Sequence, residues 1–257
     1  MKRLEGKRAA IVGAGSVSDN IGNGRAISIL FAREGARVLA ADRDLAAAQN
    51  TVNRITDAGG LAEAVQMDAT DPGAADALVA QAASRWGGLD ILVHVVGMSL
   101  PGGVTETAPE DWDRVFDVNL RSAYLAARSA VPAMAALGGG SLVFVSSLVS
   151  VWSGPYSYAA YEASKAGLNR LARSLARAHA SDGIRSNVVM PGMIDTPHVR
   201  AYISDSQSTS DEARAAAVPM KRQGTPWEIA EASLFLASDA ASYITGACLP
   251  VDGGLSA

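Results

Sequence analysis

The chain has 257 residues, 49% of them hydrophobic and 19% charged, which is enough apolar material for one large core at the upper end of single-domain size. Its 22 basic and 26 acidic residues leave a net charge of -4 with no block of either sign, which excludes the clustered basic footprint of a nucleic-acid binder. A single cysteine, Cys248, excludes an internal disulfide framework, and no apolar run approaches a bilayer span or a leader sequence; a cytoplasmic protein with a small-molecule substrate and no membrane partner is expected.

From the N-terminus, short β-branched runs alternate with Ala-rich amphipathic stretches. Strands are expected at 8–14 (RAAIVGA), 36–42, 61–68, 90–96, 141–146, 185–190 and 247–252. Helices are expected over 22–33, 44–57, 72–85, 109–136, 157–180 and 226–237, with Pro132 bending or interrupting the fourth. Buried strands separated by helices of this length call for a parallel sheet covered on both faces. The expected fold is therefore a single α/β domain over 1–257, a doubly wound parallel sheet of about seven strands. The alternation fails only over 195–222, a long excursion after the sixth strand where a substrate-covering lobe is expected.

Between the first strand and the first helix lies IVGAGSVSDNIGNGRAIS. Gly13, Gly15, Gly22 and Gly24 would let the backbone approach a pyrophosphate at the helix N-terminus. Asp42 ends the second strand, where an acid can accept from the adenosine ribose hydroxyls and repel a 2′-phosphate, so NAD is favoured over NADP; Arg43 pulls the other way, since a guanidinium can meet a phosphate. The bland alternative makes Asp42 a solvated strand end or a cap for the helix beginning near Asp44.

SYAAYEASK (157–165) puts Tyr161 four residues before Lys165 and Tyr158 seven before it, and both spacings return to the lysine's face of a helix. A free phenol has a pKa of ~10 and is a poor base at neutral pH. A nearby ammonium would lower it by favouring the phenolate. Four helical residues separate two groups by ~6 Å along the axis and seven by ~10.5 Å, so Lys165 supports Tyr161 more directly.

The Gly turn, Asp42, MDATD (67–71), DVNL (117–120), VSS (145–147), Tyr161-x-x-x-Lys165, PGMIDTP (191–197) and VDGG (251–254) stand in the order of the short-chain dehydrogenase/reductase family, which the chain resembles over nearly its whole length. The resemblance implies a Rossmann-type fold and a homotetramer or homodimer. It implies that Asn119, Ser147, Tyr161 and Lys165 form the catalytic set, with Asn119 holding a water, Ser147 orienting the substrate oxygen, Tyr161 as acid/base and Lys165 on the nicotinamide ribose. It also implies that Gly13, Gly15, Ile21, Gly22, Asp42, Asp68, Ala69, Gly97, Pro191, Ile194 and Thr196, with Tyr161 and Lys165, contact NAD. No metal is expected: His94, His179 and His198 lie far apart and share no ligand spacing with Cys248.

The chain departs from the family pattern in three places. The Gly turn is longer than usual. His94-Val95-Val96-Gly97 replaces the usual Asn-Asn-Ala-Gly, and His94 is expected to bond backbone from the core. The Ser147-to-Tyr161 spacing is slightly extended. The first departure resembles the enoyl-thioester reductases of the same family, whose tyrosine stands seven before the lysine, as Tyr158 does here. Against that reading stand Ser147, PGMIDTP and VDGG, so Tyr161 is the expected acid/base. Met98, Leu100, Val149, Trp152, Tyr156, Tyr158, Met193, His198 and Tyr202 are the candidate pocket wall, largely apolar, which suits a hydrophobic or cyclic secondary alcohol. A 3-oxoacyl-thioester reductase is the nearest rival within the fold, and a non-catalytic NAD-binding sensor or scaffold the rival from another class.

Overall fold

The computed structural model describes residues 2–17, 19–154, 157–197, 199–200 and 210–257. The first strand, β1 (Arg8–Val12), sends Ala9 and Ile11 to one face and Ala10 and Val12 to the other, as the two-residue period requires, and each face meets its own buried core. Six more strands repeat the pattern: β2 (Arg37–Asp42), β3 (Leu61–Gln66), β4 (Ile91–His94), β5 (Gly140–Val145), β6 (Ile184–Pro191) and β7 (Cys248–Val251). All pair in parallel, in the order β3-β2-β1-β4-β5-β6-β7.

Helices α1 (Asn23–Arg33), α2 (Leu45–Asp57) and α8 (Pro226–Ala237) cover the face that holds Ile11, Val93 and Val143. Helices α3 (Pro72–Trp86), α5 (Ser122–Ala135) and α6 (Ala159–His179) cover the face of Val12, Leu92 and Phe144. This is the doubly wound sheet expected from the alternation. The strand order reverses between β1 and β4, which opens a crevice at the carboxyl ends of the strands.

Several boundaries are set by caps legible in the sequence. The Asp44 carboxylate accepts from the amides of Ala46 and Ala47, Asp71 accepts from that of Gly73 with Pro72 at the first helical position, and Thr225 and Glu228 form a reciprocal capping box. The stretch 109–136 corrects the expectation placed on Pro132. Helix α4 (Pro109–Phe116) gives way to a π-turn at Asp117–Arg121 before α5 begins, while α5 continues through Pro132. Pro132 lies in the last turn of α5 and removes one N–H from its hydrogen-bond ladder without ending the helix. The lobe contains a helix that the alternation did not announce, α7 (Asp211–Ala217), capped by Ser210. None of its residues is buried, so it carries no apolar period to read.

Candidate active site

The Gly turn is built around close backbone approach. Gly13 has φ +90 and, like Ala14, donates its N–H to the Ala41 carbonyl at the end of β2. A Cβ on Gly24, in the first turn of α1, would lie 1.8 Å from the Gly13 carbonyl oxygen, so only glycine lets the helix start there. The Gly15 N–H donates to Asp42 Oδ2 at 2.8 Å and the Asp44 N–H to Asp42 Oδ1 at 3.1 Å. The helix-capping alternative therefore belongs to Asp44, while Asp42 ties the Gly turn to the end of β2. Gly15 spends its amide on Asp42. The longer turn is held from outside: Arg25, 1% exposed, donates to the Asn20 carbonyl at 2.7 Å, and Arg54 donates to Asp19. Gly22 precedes α1 as its N-cap, and Ile21 packs against the core. After β3, Asp68 accepts from both the amide and the hydroxyl of Thr70, which holds its carboxyl below the usual range; the neighbouring Ala69 is buried.

At the end of β4 His94 is fully buried. Its Nε2 stands 3.0 Å from Ser122 Oγ, and that hydroxyl donates to the Val118 carbonyl inside the π-turn at 2.6 Å. A hydroxyl with one hydrogen can only accept from His94, so Nε2 carries the ring proton. His94 thus bonds a side chain, where a bond to backbone was expected, and reaches backbone through Ser122. Its Nδ1 has no partner among the described residues, and burial, reinforced by the Lys165 charge, lowers its pKa to about 3.

The π-turn that Ser122 anchors carries Asn119, also fully buried. Asn119 Oδ1 accepts from the Met98 N–H at 2.8 Å, and Nδ2 donates to the Met98 carbonyl at 3.0 Å and to Ser164 Oγ at 2.9 Å. Ser164 in turn donates to the Tyr161 carbonyl at 2.8 Å. Both amide hydrogens of Asn119 are spent on protein, so its side chain works as a strut between the β4 loop and α6. Gly97 sits in the angle of that strut: a Cβ there would be 2.9 Å from Lys165 Nζ and 3.4 Å from Asn119 Oδ1.

Ser147 follows β5 in extended conformation and hydrogen-bonds the Tyr161 side chain. Burial raises the Tyr161 pKa and the bond to Ser147 opposes the rise. The sequence led us to expect the reverse balance, with Lys165 lowering the phenol. In the structure Lys165 Nζ stands 5.9 Å from the Tyr161 ring centroid and donates to the Val145 carbonyl at 3.1 Å. Burial brings Lys165 itself down to about 8. Two residues missed in the sequence support Ser147 from behind: Asn169 Nδ2 donates to Ser150 Oγ at 2.7 Å, and Ser150 Oγ donates to the Ser147 carbonyl at 2.6 Å. The signal was present, since Asn169 stands four residues after Lys165 on the same helix face.

Tyr158 precedes α6, meets Tyr161 edge-on at 6.4 Å between centroids, and forms a backbone bridge to Gly102. Met98, Leu100, Val149 and Trp152 are partly buried. β6 ends at Pro191 and leads to Met193; Ile194 bridges to Gly224 and is buried, as is Thr196. The remaining pocket candidates, Tyr156, His198 and Tyr202, lie outside the described residues. Among the described residues no His/Cys/Asp/Glu cluster could hold a metal ion, and no helix is long and apolar enough to cross a membrane.

The chain matches, over residues 17–256, a family model described as Enoyl-(Acyl carrier protein) reductase. It is 36% identical over 256 residues, 99% of its own length and 98% of the relative's, to the 2,5-dichloro-2,5-cyclohexadiene-1,4-diol dehydrogenase LinX of Sphingobium indicum. To the 3-oxoacyl-(acyl-carrier-protein) reductase FabG of Thermotoga maritima it is 35% identical over 253 residues, 98% and 99% of the two chains. The crystal structure of a short-chain type dehydrogenase/reductase from Mycobacterium marinum superposes with a TM-score of 0.91 at 31% identity, covering 98% of this chain and 96% of that one. With the parallel seven-stranded sheet and the group around Tyr161 and Lys165, these likenesses carry one conclusion: the chain belongs to the short-chain dehydrogenase/reductase family of nicotinamide-dependent oxidoreductases.

Proposed function

We propose that the protein is an NAD-dependent dehydrogenase that interconverts a hydrophobic, cyclic secondary alcohol and its ketone, with Tyr161 as acid/base. The observation that carries the reading is the juxtaposition of Ser147, Tyr161 and Lys165, with the lysine charge buried and no carboxylate paired with it among the described residues. A buried, unneutralised ammonium is a costly arrangement whose usual return is chemistry at the neighbouring group.

The residues fit a nicotinamide dinucleotide. Gly13, Gly22 and Gly24 keep the start of α1 free of side chains, and Gly97 leaves open the space beside Lys165 and Asn119 that any Cβ would fill. Asp42 stands at the end of β2, its carboxylate fixed by two backbone amides, with lone pairs left for ribose hydroxyls. That anionic strand end favours NAD over its 2′-phosphorylated form. Asp68, Ala69, Pro191, Ile194 and Thr196 are assigned to the same cofactor surface.

The bound nicotinamide supplies hydride acceptance and return at the alcohol carbon. Ser147 holds the substrate oxygen. Tyr161, as phenolate, takes the hydroxyl proton during oxidation and gives it back during reduction, a role worth roughly 10²–10⁴ in rate. Lys165 holds positive charge beside the phenol and the ribose, and Asn119 braces the β4 loop against α6. The apolar wall of Met98, Val149, Trp152 and Met193 suits a ring. Association as a homotetramer or homodimer through α5 and α6 belongs to the same proposal, as does a cytoplasmic location; the outward Trp112 and Tyr124, 37% and 49% exposed, support association along that side.

The test is an initial-rate panel with NAD and NADP against cyclic secondary alcohols, 3-hydroxyacyl thioesters and sugars, and with NADH against ketones and enoyl thioesters. We expect NAD-linked oxidation of cyclic alcohols, with kcat reduced by roughly 10²–10⁴ in Tyr161→Phe and far less in Tyr158→Phe. Reduction of enoyl thioesters that depends on Tyr158 would overturn the assignment, and a preference for 3-hydroxyacyl thioesters would replace the substrate class.

A further inference from the structure

His94 closes β4 at the centre of the sheet, in register with Val12 on one side and Phe144 on the other, and its ring lies 6.4 Å from that of Phe144. The family pattern places a shorter asparagine at this position. Here the imidazole reaches out of the sheet to the first residue of α5 and gives its Nε2–H to Ser122 Oγ at 3.0 Å. Both residues are fully buried.

Ser122 is where the helical register changes. Its amide donates to the Asp117 carbonyl, five residues back, which closes the π-turn. In an α-helix that amide would serve Val118, four residues back. The Val118 carbonyl takes the Ser122 hydroxyl instead, at 2.6 Å. A serine bonded back to the fourth preceding carbonyl favours a bend over regular helix. The hydroxyl has one hydrogen on a rotating bond, and the donor from His94 occupies a lone pair and so turns that hydrogen toward Val118. Asn119 lies inside the turn and joins the Met98 amide to Ser164, which in turn donates to the Tyr161 carbonyl. One residue more or less in the turn would carry Asn119 about 100° round the helix axis, away from both partners.

We infer that His94 and Ser122 form a buried positioning pair: the imidazole on the central strand selects the π-turn, and the turn aims Asn119 at Met98 and Ser164 and so fixes the segment of α6 that carries Tyr161. Both act through other residues. A single π-turn inside a helix commonly marks a functional site, and a site braced from a rigid strand keeps its geometry better than one braced from a loop. The inference rests on the reading of Tyr161 as acid/base, and it adds the residues that hold its helix in place.

The test combines initial rates, with NAD and a cyclic secondary alcohol from the panel above, and hydrogen exchange at the Met98 amide, whose acceptor is Asn119 Oδ1. Ser122→Ala should lower kcat by about tenfold with the KM for NAD little changed, and should speed exchange at Met98 by a similar factor. His94→Phe should act in the same direction, while His94→Gln, which places an N–H near the position of the imidazole Nε2, should restore both readouts. Ser122→Ala also leaves the buried His94 N–H without an acceptor, so its melting temperature should fall. Adding His94→Phe removes that donor and should recover the melting temperature but not kcat. A purely structural pair would recover both together. Wild-type kcat and Met98 exchange in Ser122→Ala, recovery of kcat along with stability in the double variant, or a His94→Gln no better than His94→Phe would overturn the inference while leaving Tyr161 in place. If wild type oxidises no secondary alcohol, the Tyr161 reading fails by itself, and the pair then stands or falls by exchange at Met98.

Discussion

Lys165 is 2% exposed and its proton is held only to a pKa of about 8, because burial is not offset by a carboxylate. The unfolded chain keeps that proton up to the ordinary value of 10.5. Stability is therefore fully present above 10.5 and is lost as pH falls toward 8, leaving a cost of about 3 kcal/mol at neutral pH. Lys165→Met removes the cost along with the function. We expect the variant to lose turnover yet melt several degrees higher at pH 7, at about 2–4 °C per kcal/mol, by scanning calorimetry. A lower melting temperature would mean that the bond to Val145 outweighs the desolvation of the ammonium.

Among the elements, the start of α1 shows packing overriding propensity. Glycine within a helix costs about 1 kcal/mol against alanine, so propensity alone predicts that Gly24→Ala stabilises. The added Cβ would overlap the Gly13 carbonyl, however, and the helix would have to move away from the turn. Overpacking against backbone costs about 3 kcal/mol or more. We expect Gly24→Ala to lower the melting temperature and to weaken NADH binding measured by fluorescence titration. The segment after β5 depends on α6 in a similar way, since Asn169 and Ser150 fix the carbonyl of Ser147. Ser150→Ala should reduce kcat by about tenfold through misplacement of Ser147, with the affinity for NADH little changed.

For the whole molecule, acid stability has an identifiable origin in His94. The folded protein keeps this ring neutral down to about pH 3, whereas the unfolded chain takes up a proton near 6.5. The contribution is fully present above pH 6.5 and is lost as pH falls from 6.5 toward 3, amounting to about 2 kcal/mol by pH 5. Urea unfolding at a series of pH values should show that slope in wild type and a flatter one in His94→Asn. An unchanged slope would place the acid sensitivity in the carboxylates.

The strand–helix alternation, the Gly turn, Asp42 and the Tyr161–Lys165 spacing were legible in the sequence because each is a local pattern: side-chain period, backbone freedom or helical pitch. The caps at Asp44, Asp71 and Thr225 were local too. What required the tertiary structure was every relation between distant segments. That the break before α5 falls at Asp117–Arg121 and not at Pro132 follows from Ser122 and His94, which belong to different elements. The commitment of Asn119 to Met98 and Ser164 and the support of Ser147 by Ser150 and Asn169 have the same character. Even the pKa of Tyr161 moved against the expectation from its helical neighbour. A charge four residues away is visible in sequence, whereas the burial that outweighs it is a property of the packed site.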